Sequence, residues 1–395
     1  MNQLNIDTIY VLALAFFTLW SALWIVHILA ILHGKFRLHR KKTEICTEDM
    51  YPGVSILKPL TGIDPNLAEN LESFFTLAYP RYEILFCVEN DKDPALKIVQ
   101  ELMEKYPNIV TKVFKGASKV GANPKINNIY KAFQDSVYDL ILVSDSGIKM
   151  KNDTLLDMVA YMTDKTGLVH QMPYTSDKEG FPAVLEKIYF GTVQSRIYLA
   201  ADFLRRNCHT GMSTLLRKSV LEGKGGLKTF GCYLAEDFFI CRYFKEKGWR
   251  TTISSQPAMQ NSGVCDISYF QARMTRWAQL RVAMIPLVII FEPLSECMVI
   301  GVFAAWASSV LFQWNYTTFY LTHILTWFLC DWILITTVQN GALPFNKFKF
   351  VVGWLVRECS GPYIFFNALI TPDIQWRNRV FKLSWGGVIK DFATV

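Results

Sequence analysis

The sequence predicts an α/β domain with an open, mostly parallel sheet, set between an N-terminal membrane anchor and a C-terminal block of transmembrane or interfacial helices. Three observations carry that expectation. Residues 9–32 are nearly all apolar, short apolar runs alternate with helical patterns through the middle of the chain, and apolar segments return after about residue 284. With 395 residues, 51% of them hydrophobic, and a mean hydropathy of +0.19, the chain is too apolar for an ordinary soluble protein. It is also too charged for a pure membrane bundle.

The first apolar segment, about 24 residues, is long enough to cross a bilayer core with some tilt. Residues 1–8 contain no Lys or Arg, whereas Lys35, Arg37, Arg40, Lys41 and Lys42 follow the segment closely. The positive-inside rule then places the N-terminus on the lumenal side and the chain after His33 in the cytosol. A cleaved signal peptide would need a basic start, a shorter apolar core and a small-x-small site before the basic cluster. None of these is present, so the segment reads as a signal anchor.

At the other end, residues 298–312 and 319–337 read as two spans joined by a turn at Gln313-Trp314-Asn315. A third stretch, 350–370, carries Arg357 and Glu358 in its middle. Charges there are costly in lipid, so it is either a span whose pair faces protein or an interfacial segment. The basic tail (Arg377, Arg379, Lys382, Lys390) argues for a cytosolic C-terminus and favours the interfacial reading.

Between these ends the pattern alternates. Strands are expected over 54–57, 82–88, 109–114 and 139–143; helices over 64–75 (opened by Asp64-Pro65), 94–106 and 125–133. In open sheets of this kind ligands bind beyond the carboxyl ends of the strands. Asp93 lies just past the second strand and Asp145 just past the fourth, so both project toward one edge.

Further on, 167–171 reads as a strand and 181–203 as a long helix rich in Tyr, Phe and Arg. Residues 210–214 form a glycine turn ahead of a short strand, and Asp237 opens a helix over 237–246. Residues 267–281 are helical, with Phe270, Met274 and Trp277 on one stripe and Arg273, Arg276 and Arg281 flanking it, as on a helix lying on a membrane surface. The expected organisation is an anchor (9–32), a cytosolic catalytic domain (50–265) and an interfacial helix (266–283). Membrane or interfacial helices (284–371) and a tail (372–395) complete it.

Composition removes several function classes. The net charge of +7 and pI of about 8.8 suit an anionic membrane face or a phosphate-bearing substrate, but no basic stripe interleaved with aromatics argues for nucleic acid. Nine scattered cysteines without a C-x-x-C pair make neither a disulfide framework nor a zinc site. The six histidines form no ligand pair, and His170, in a strand-like run, reads as a core residue.

What remains is a set of carboxylates closing on Arg273-x-x-Arg276-Trp277. A sugar donor with a pyrophosphate leaving group needs that charge neutralised, by a carboxylate-held divalent metal and by cations. It also needs a further carboxylate to take the proton of the incoming hydroxyl. Asp145 is placed for donor or metal contact, Asp237 for the base, and Arg273, Arg276 and Trp277 for the diphosphate. Lys58 and Lys125 sit near the strand edge, where they face either the donor or solvent. Singly, each Asp reads more readily as a cap or loop residue and the Arg/Trp helix as a solvated or lipid-facing one. The ordered set beside membrane segments carries the weight.

Those residues resemble the family 21 glycosyltransferases, relatives of family 2 with a GT-A fold, over almost the full length. The resemblance rests on Pro52–Leu60 (PGVSILKPL), Gly62–Leu67 (GIDPNL), Asn123–Asn128 (NPKINN), Ser144–Gly147 (SDSG), Thr210–Ser213 (TGMS), Ala235–Asp237 (AED), Ala258–Ser262 (AMQNS) and Arg273-x-x-Arg276-Trp277. It implies transfer of glucose from UDP-glucose to the primary hydroxyl of ceramide, with inversion, at a cytosol-facing site on the Golgi membrane. It further implies Asp93 and Asp145 as the first two essential aspartates, Asp237 as proton acceptor, the Arg/Trp motif as a donor-side element, and a divalent cation (Mg²⁺ or Mn²⁺) on Asp145.

Two departures stand out. Gly147 occupies the place of the second acid in the Asp-x-Asp of family 2 enzymes, where a metal ligand commonly sits, and Asn90-Asp91-Lys92 leaves Asp93 the only secure match in its region. The competing readings are a membrane synthase of the same fold acting on another lipid or a polysaccharide, and an inactive membrane scaffold. The few C-terminal spans and Arg273 in place of Gln count against the first. The second has no need of carboxylates at strand ends.

Overall fold

The structure, a computed structural model, describes residues 3–40, 51–263, 266–376 and 379–394. Lys41, Lys42 and Arg377 of the basic clusters, and the expected domain limits at 50 and 265, lie outside the described residues. The chain runs α1 (Gln3–Arg37), β1 (Val54–Leu60), α2 (Leu67–Phe75), β2 (Tyr82–Val88), α3 (Ala95–Lys105), β3 (Val110–Lys115), α4 (Pro124–Asp135), β4 (Leu140–Ser144) and β5 (Ile148–Lys149). It continues through α5 (Thr154–Ala160), β6 (Thr166–His170), β7 (Pro173–Thr175), α6 (Phe181–Tyr189), α7 (Ser195–Phe203), β8 (Ser213–Arg217), α8 (Lys218–Glu222), α9 (Glu236–Glu246), β9 (Arg250–Ile253) and β10 (Ala258–Gln260). The remainder is α10 (Ile267–Met284), α11 (Val288–Leu294), α12 (Cys297–Phe312), α13 (Tyr316–Gln339), α14 (Lys347–Ile370), β11 (Ile374–Trp376), β12 (Arg379–Leu383) and β13 (Ile389–Thr394).

Two compact units result. One combines Arg37–Asp177, Leu204–Asp266 and Gln375–Val395. Its centre is a seven-stranded sheet in the order β3-β2-β1-β4-β8-β6-β9, in which β8 alone runs antiparallel to its neighbours. The central strands are largely apolar because both faces are covered: every residue of β2 is buried, Glu83 included, whereas the edge strand β3 has no buried residue. On one face α4 packs Ile126, Ile129, Ala132 and Phe133 against Leu57, Leu85 and Ile141. The helix begins where it does because the Asn123 side chain accepts from the amides of Lys125 and Ile126, with Pro124 at its first position.

The helix expected from residue 64 starts only at Leu67. Asp64 instead accepts from the amides of Asn66 (2.9 Å) and Gly263 (2.8 Å) and from the Ser262 hydroxyl, tying two loops together. Asn261 does the same deeper in, donating to Asn70 Oδ1 and Glu69.

The other unit combines Met1–Phe36, Lys178–Phe203 and Ile267–Ile374. Asp7–Arg37 and Tyr316–Gln339 are each long and apolar enough to cross a membrane, and α11 with α12 makes a third such segment only as a pair bent by 84°. The long helix expected over 181–203 is present, interrupted by a π-helical turn at Phe190–Gln194. In α14 both Arg357 and Glu358 are buried against protein. They belong to a charged cluster: Arg357 pairs with Glu358 and with Glu296 (3.0 Å), while Asp331 of α13 meets His27 of α1 (3.3 Å), Arg196 of α7 (3.7 Å) and the Trp354 indole (2.9 Å). Each charge that would be costly in lipid thus has an opposite partner.

Candidate active site

Four sequence-predicted residues meet at the carboxyl edge of the sheet. Asp145 follows β4, Lys125 occupies the first turn of α4, and Asp237 the first turn of α9. Lys58 lies within β1. The Lys125 ammonium stands 2.8 Å from Asp145 Oδ1 and 3.5 Å from a carboxylate oxygen of Glu236, and donates to the Gly211 carbonyl at 3.0 Å. Asp237 is held from both sides: the Gly211 amide donates to one oxygen (2.6 Å) and the Phe238 amide to the other (2.8 Å).

Gly211 is glycine for a steric reason. A Cβ there would lie 3.1 Å from Asp237 Oδ2 and 3.2 Å from the Lys125 ammonium. The turn at 210–214 therefore brings backbone against the carboxylate at a distance that a side chain would spoil.

Burial sets the electrostatics. An apolar wall of Ile126, Ile129, Phe133, Val143 and Ile240 backs the cluster. Desolvation raises the Glu236 carboxyl to about 7 despite the opposing Lys125 charge, and raises Asp237 above the usual carboxylate range for the same reason. Burial alone would lower Lys125, but the charges of Asp145 and Glu236 outweigh it and hold the ammonium above the ordinary lysine range. The result is a cation fixed beside two acids whose hold on a proton burial has strengthened, which suits a general base.

Lys58 is neither solvated nor at the surface. It is fully buried, its ammonium donates to the Asp145 carbonyl (2.8 Å) and lies 3.7 Å from the centre of the Phe74 ring. Desolvation lowers it to about 7, with Asp145 opposing. It braces the backbone that carries Asp145. Asp93 lies on the neighbouring loop, where its carboxylate accepts from the amides of Gly62 (3.0 Å) and Ala95 (2.9 Å), fixing the turn after β1 to the start of α3.

Arg273, Arg276 and Trp277 belong to the other unit. There Arg273 is buried rather than flanking a solvent face: it pairs with Glu186 (3.3 Å) and lies over the Trp277 ring (4.8 Å) and the Phe190 ring (5.3 Å). Glu186 also accepts from Lys178 at 2.7 Å. The residues that α10 buries are Arg273, Met274, Ala278 and Gln279, so of the expected Phe270/Met274/Trp277 stripe only Met274 is fully buried.

Sequence reasoning missed Glu236, Asn123 and Gly211. Glu236 entered only as the middle of the Ala235–Asp237 motif, yet Asn123 Nδ2 donates to it at 2.8 Å and Lys125 pairs with it. The available signal was the adjacency of two acids at one helix start with an Asn-Pro-Lys helix start elsewhere.

Among the described residues no three His, Cys, Asp or Glu side chains converge, so a divalent cation would be held by Asp145 together with the donor's phosphates, in place of the Lys125 ammonium that pairs with Asp145 here. A side chain at position 147 would have open space, so an acid there is missing by sequence and not by crowding.

Residues 22–389 match the sequence model of Glycosyl transferase family 21. The chain is 44% identical over 389 residues to ceramide glucosyltransferase 3 of Caenorhabditis elegans, covering 98% of this chain and 84% of that one. It is 42% identical to ceramide glucosyltransferase 1 of the same organism (99% and 84% covered) and 27% identical to the ceramide glucosyltransferase of Komagataella phaffii (91% and 89%). Among solved structures it is similar to the mannosyltransferase PcManGT of Pyrobaculum calidifontis in complex with GDP-Man and Mn²⁺, with TM-score 0.48 and 14% identity over 92% of this chain and 98% of that one.

Proposed function

The chain belongs to glycosyltransferase family 21, and from that membership we propose that it transfers glucose from UDP-glucose to the primary hydroxyl of ceramide with inversion, giving β-glucosylceramide and UDP. The observation that carries the reading to this site is the Lys125 ammonium set between Asp145 and the Glu236–Asp237 pair at the strand edge. Asp237 takes the proton from the ceramide hydroxyl as its oxygen attacks the anomeric carbon. The bond from that carbon to the diphosphate oxygen breaks, and UDP leaves with the electron pair. One in-line displacement inverts the centre and needs no covalent sugar intermediate.

Lys125 counters charge on the donor side, with Asp145 aligned by Lys58 beneath it. Asp93 holds the first donor loop. Arg273, Arg276 and Trp277 keep the donor-side role that the family motif implies, with Arg273 as its buried anchor. The lumenal N-terminus, cytosolic site and Golgi membrane are part of the same reading; Lys35, Arg37 and Arg40 after the apolar part of α1 support the orientation.

The test is conversion of UDP-glucose and a short-chain ceramide to glucosylceramide by membranes containing the full chain. Asp237→Asn is expected to lower kcat by roughly 10²-fold or more, while UDP-glucose still protects the protein against thermal unfolding. Full activity in that variant removes Asp237 from the base role. Glucosylation of a polyprenyl phosphate and not of ceramide would overturn the acceptor.

A further inference from the structure

The C-terminal segment, expected as a basic tail, is a β-hairpin that belongs to the sheet unit. Strands β12 and β13 pair antiparallel from Arg379↔Thr394 to Leu383↔Ile389. The turn between them closes with Ser384 N donating to the Val388 carbonyl (2.9 Å) and places Gly386 and Gly387 at positive φ, where glycine is favoured. Phe381 is completely buried, so the hairpin is packed down.

Its two ends are tied to different loops of the site. Arg379 at the start of β12 pairs with Glu89 at 2.6 Å, one residue past β2 and on the loop that leads to Asp93. At the start of β13, the Ile389 amide donates to the Cys232 carbonyl (2.8 Å), and Val388 forms a bridge with Tyr233. The Tyr233 carbonyl accepts from Asn123 Nδ2 at 2.7 Å, and that same nitrogen donates to Glu236 at 2.8 Å. A short path of hydrogen bonds thus runs from the hairpin to the carboxylate beside Lys125.

We propose that this hairpin is a strap that sets the spacing of the Glu89–Asp93 loop and the Cys232–Asp237 loop, with Arg379 as a positioning residue for UDP-glucose binding and transfer. The physical case rests on what otherwise holds those loops. Residues 231–235 form turns outside the regular elements, and the hairpin contributes a backbone hydrogen bond to them. A half-exposed ion pair contributes little to global stability. Its effect is local: it holds one end of the hairpin against the donor-side loop while the other end holds the base-side loop.

The consequence is a kinetic effect in both donor binding and turnover. Arg379→Glu sets like charges against each other at Glu89, and roughly a threefold to tenfold loss of kcat/KM for UDP-glucose is expected. The KM for ceramide should stay within about twofold. Glu89→Arg should act alike, and the exchange Arg379→Glu with Glu89→Arg should restore most of the loss, since it restores the pair.

The proposal rests on the glucosyltransferase reading, so amide hydrogen exchange of the full chain is measured alongside. In Arg379→Glu, the amides of residues 232–238 and 89–93 should exchange faster than in the unaltered protein, while β1 and β2 stay protected. Faster exchange without any turnover by the unaltered chain would remove the glucosyltransferase reading and leave the strap standing. Unchanged exchange, or single variants as active as the parent, or a double variant no better than either single one, would overturn the strap.

Discussion

Removing the ammonium that pairs with Asp145 and Glu236 is the sharpest perturbation available, and Lys125→Met does it with little change in side-chain length. In the native protein the ammonium stands 3.5 Å from Glu236 and contacts the carbonyl of Gly211, whose amide holds Asp237. A unit pair at that distance is worth about 5 kcal/mol at an effective dielectric of about 20 and about 1 kcal/mol in bulk water. Water entering the vacated space puts the loss between those limits. At about 1.4 kcal/mol per pH unit, that loss makes the carboxyl groups titrate roughly one to three pH units above positions that burial has already raised.

The sign follows from the chemistry, because the base acts only when deprotonated. The acidic limb of the pH–rate profile therefore moves to higher pH, activity at pH 7 falls roughly tenfold or more, and part of it returns toward pH 9. Initial rates at saturating UDP-glucose with a short-chain ceramide in detergent micelles, taken from about pH 5.5 to 9.5, measure this directly. A loss of the same factor at every pH, with the limb unmoved, would refute the electrostatic account and leave Lys125 a donor contact only.

Two further outcomes follow from the same geometry. Glu236 has a folded-state value of about 7 against an ordinary value near 4.5, so the stability from its neutral form is fully present below about 4.5 and is lost as pH rises through 7. Glu236→Gln should therefore gain in thermal midpoint relative to the parent between pH 4.5 and 7.5; a difference independent of pH would contradict that burial effect. Gly121→Ala places a Cβ 2.6 Å from the Gly231 backbone, where Asn123 N also donates to the Gly231 carbonyl. It should destabilise the sheet unit by about 1–3 kcal/mol, and a thermal midpoint equal to the parent's would show that the two loops part without strain.

The parts of this fold that sequence made legible are those governed by local pattern. The run Tyr82–Val88 is apolar except for Glu83, so a strand in a mostly parallel sheet was the reading, and Asp93 and Asp145 fell at one edge by topology alone. The position of β8 was not legible in this way. Residues 213–217 look like any short strand, and their antiparallel insertion between β4 and β6 depends on partners distant in sequence.

Burial of charge is the other gap. Arg273 and Lys58 carry the long polar side chains that usually reach solvent, and only the placement of Glu186, or of the Asp145 carbonyl, shows that they do not. The hairpin at the C-terminus had a visible cue. Val380-Phe381-Lys382-Leu383 followed by Gly386-Gly387 is a strand and turn pattern, outweighed in the reading by the basic residues around it.

The charged cluster of α1, α7, α13 and α14 bears on how the chain enters a bilayer. Asp331 is satisfied by His27 and Arg196, made earlier, and by Trp354, made later. Arg357 finds Glu296 only after the intervening hairpin of helices has been synthesised. The counterparts of Asp331 in α13 lie on other segments, whereas Arg357 of α14 also has Glu358 on its own helix. Burying the Asp331 charge therefore takes α1, α7 and α13 together. Until residue 357 is made, Glu296 lacks that partner, whereas Asp331 already has His27 and Arg196.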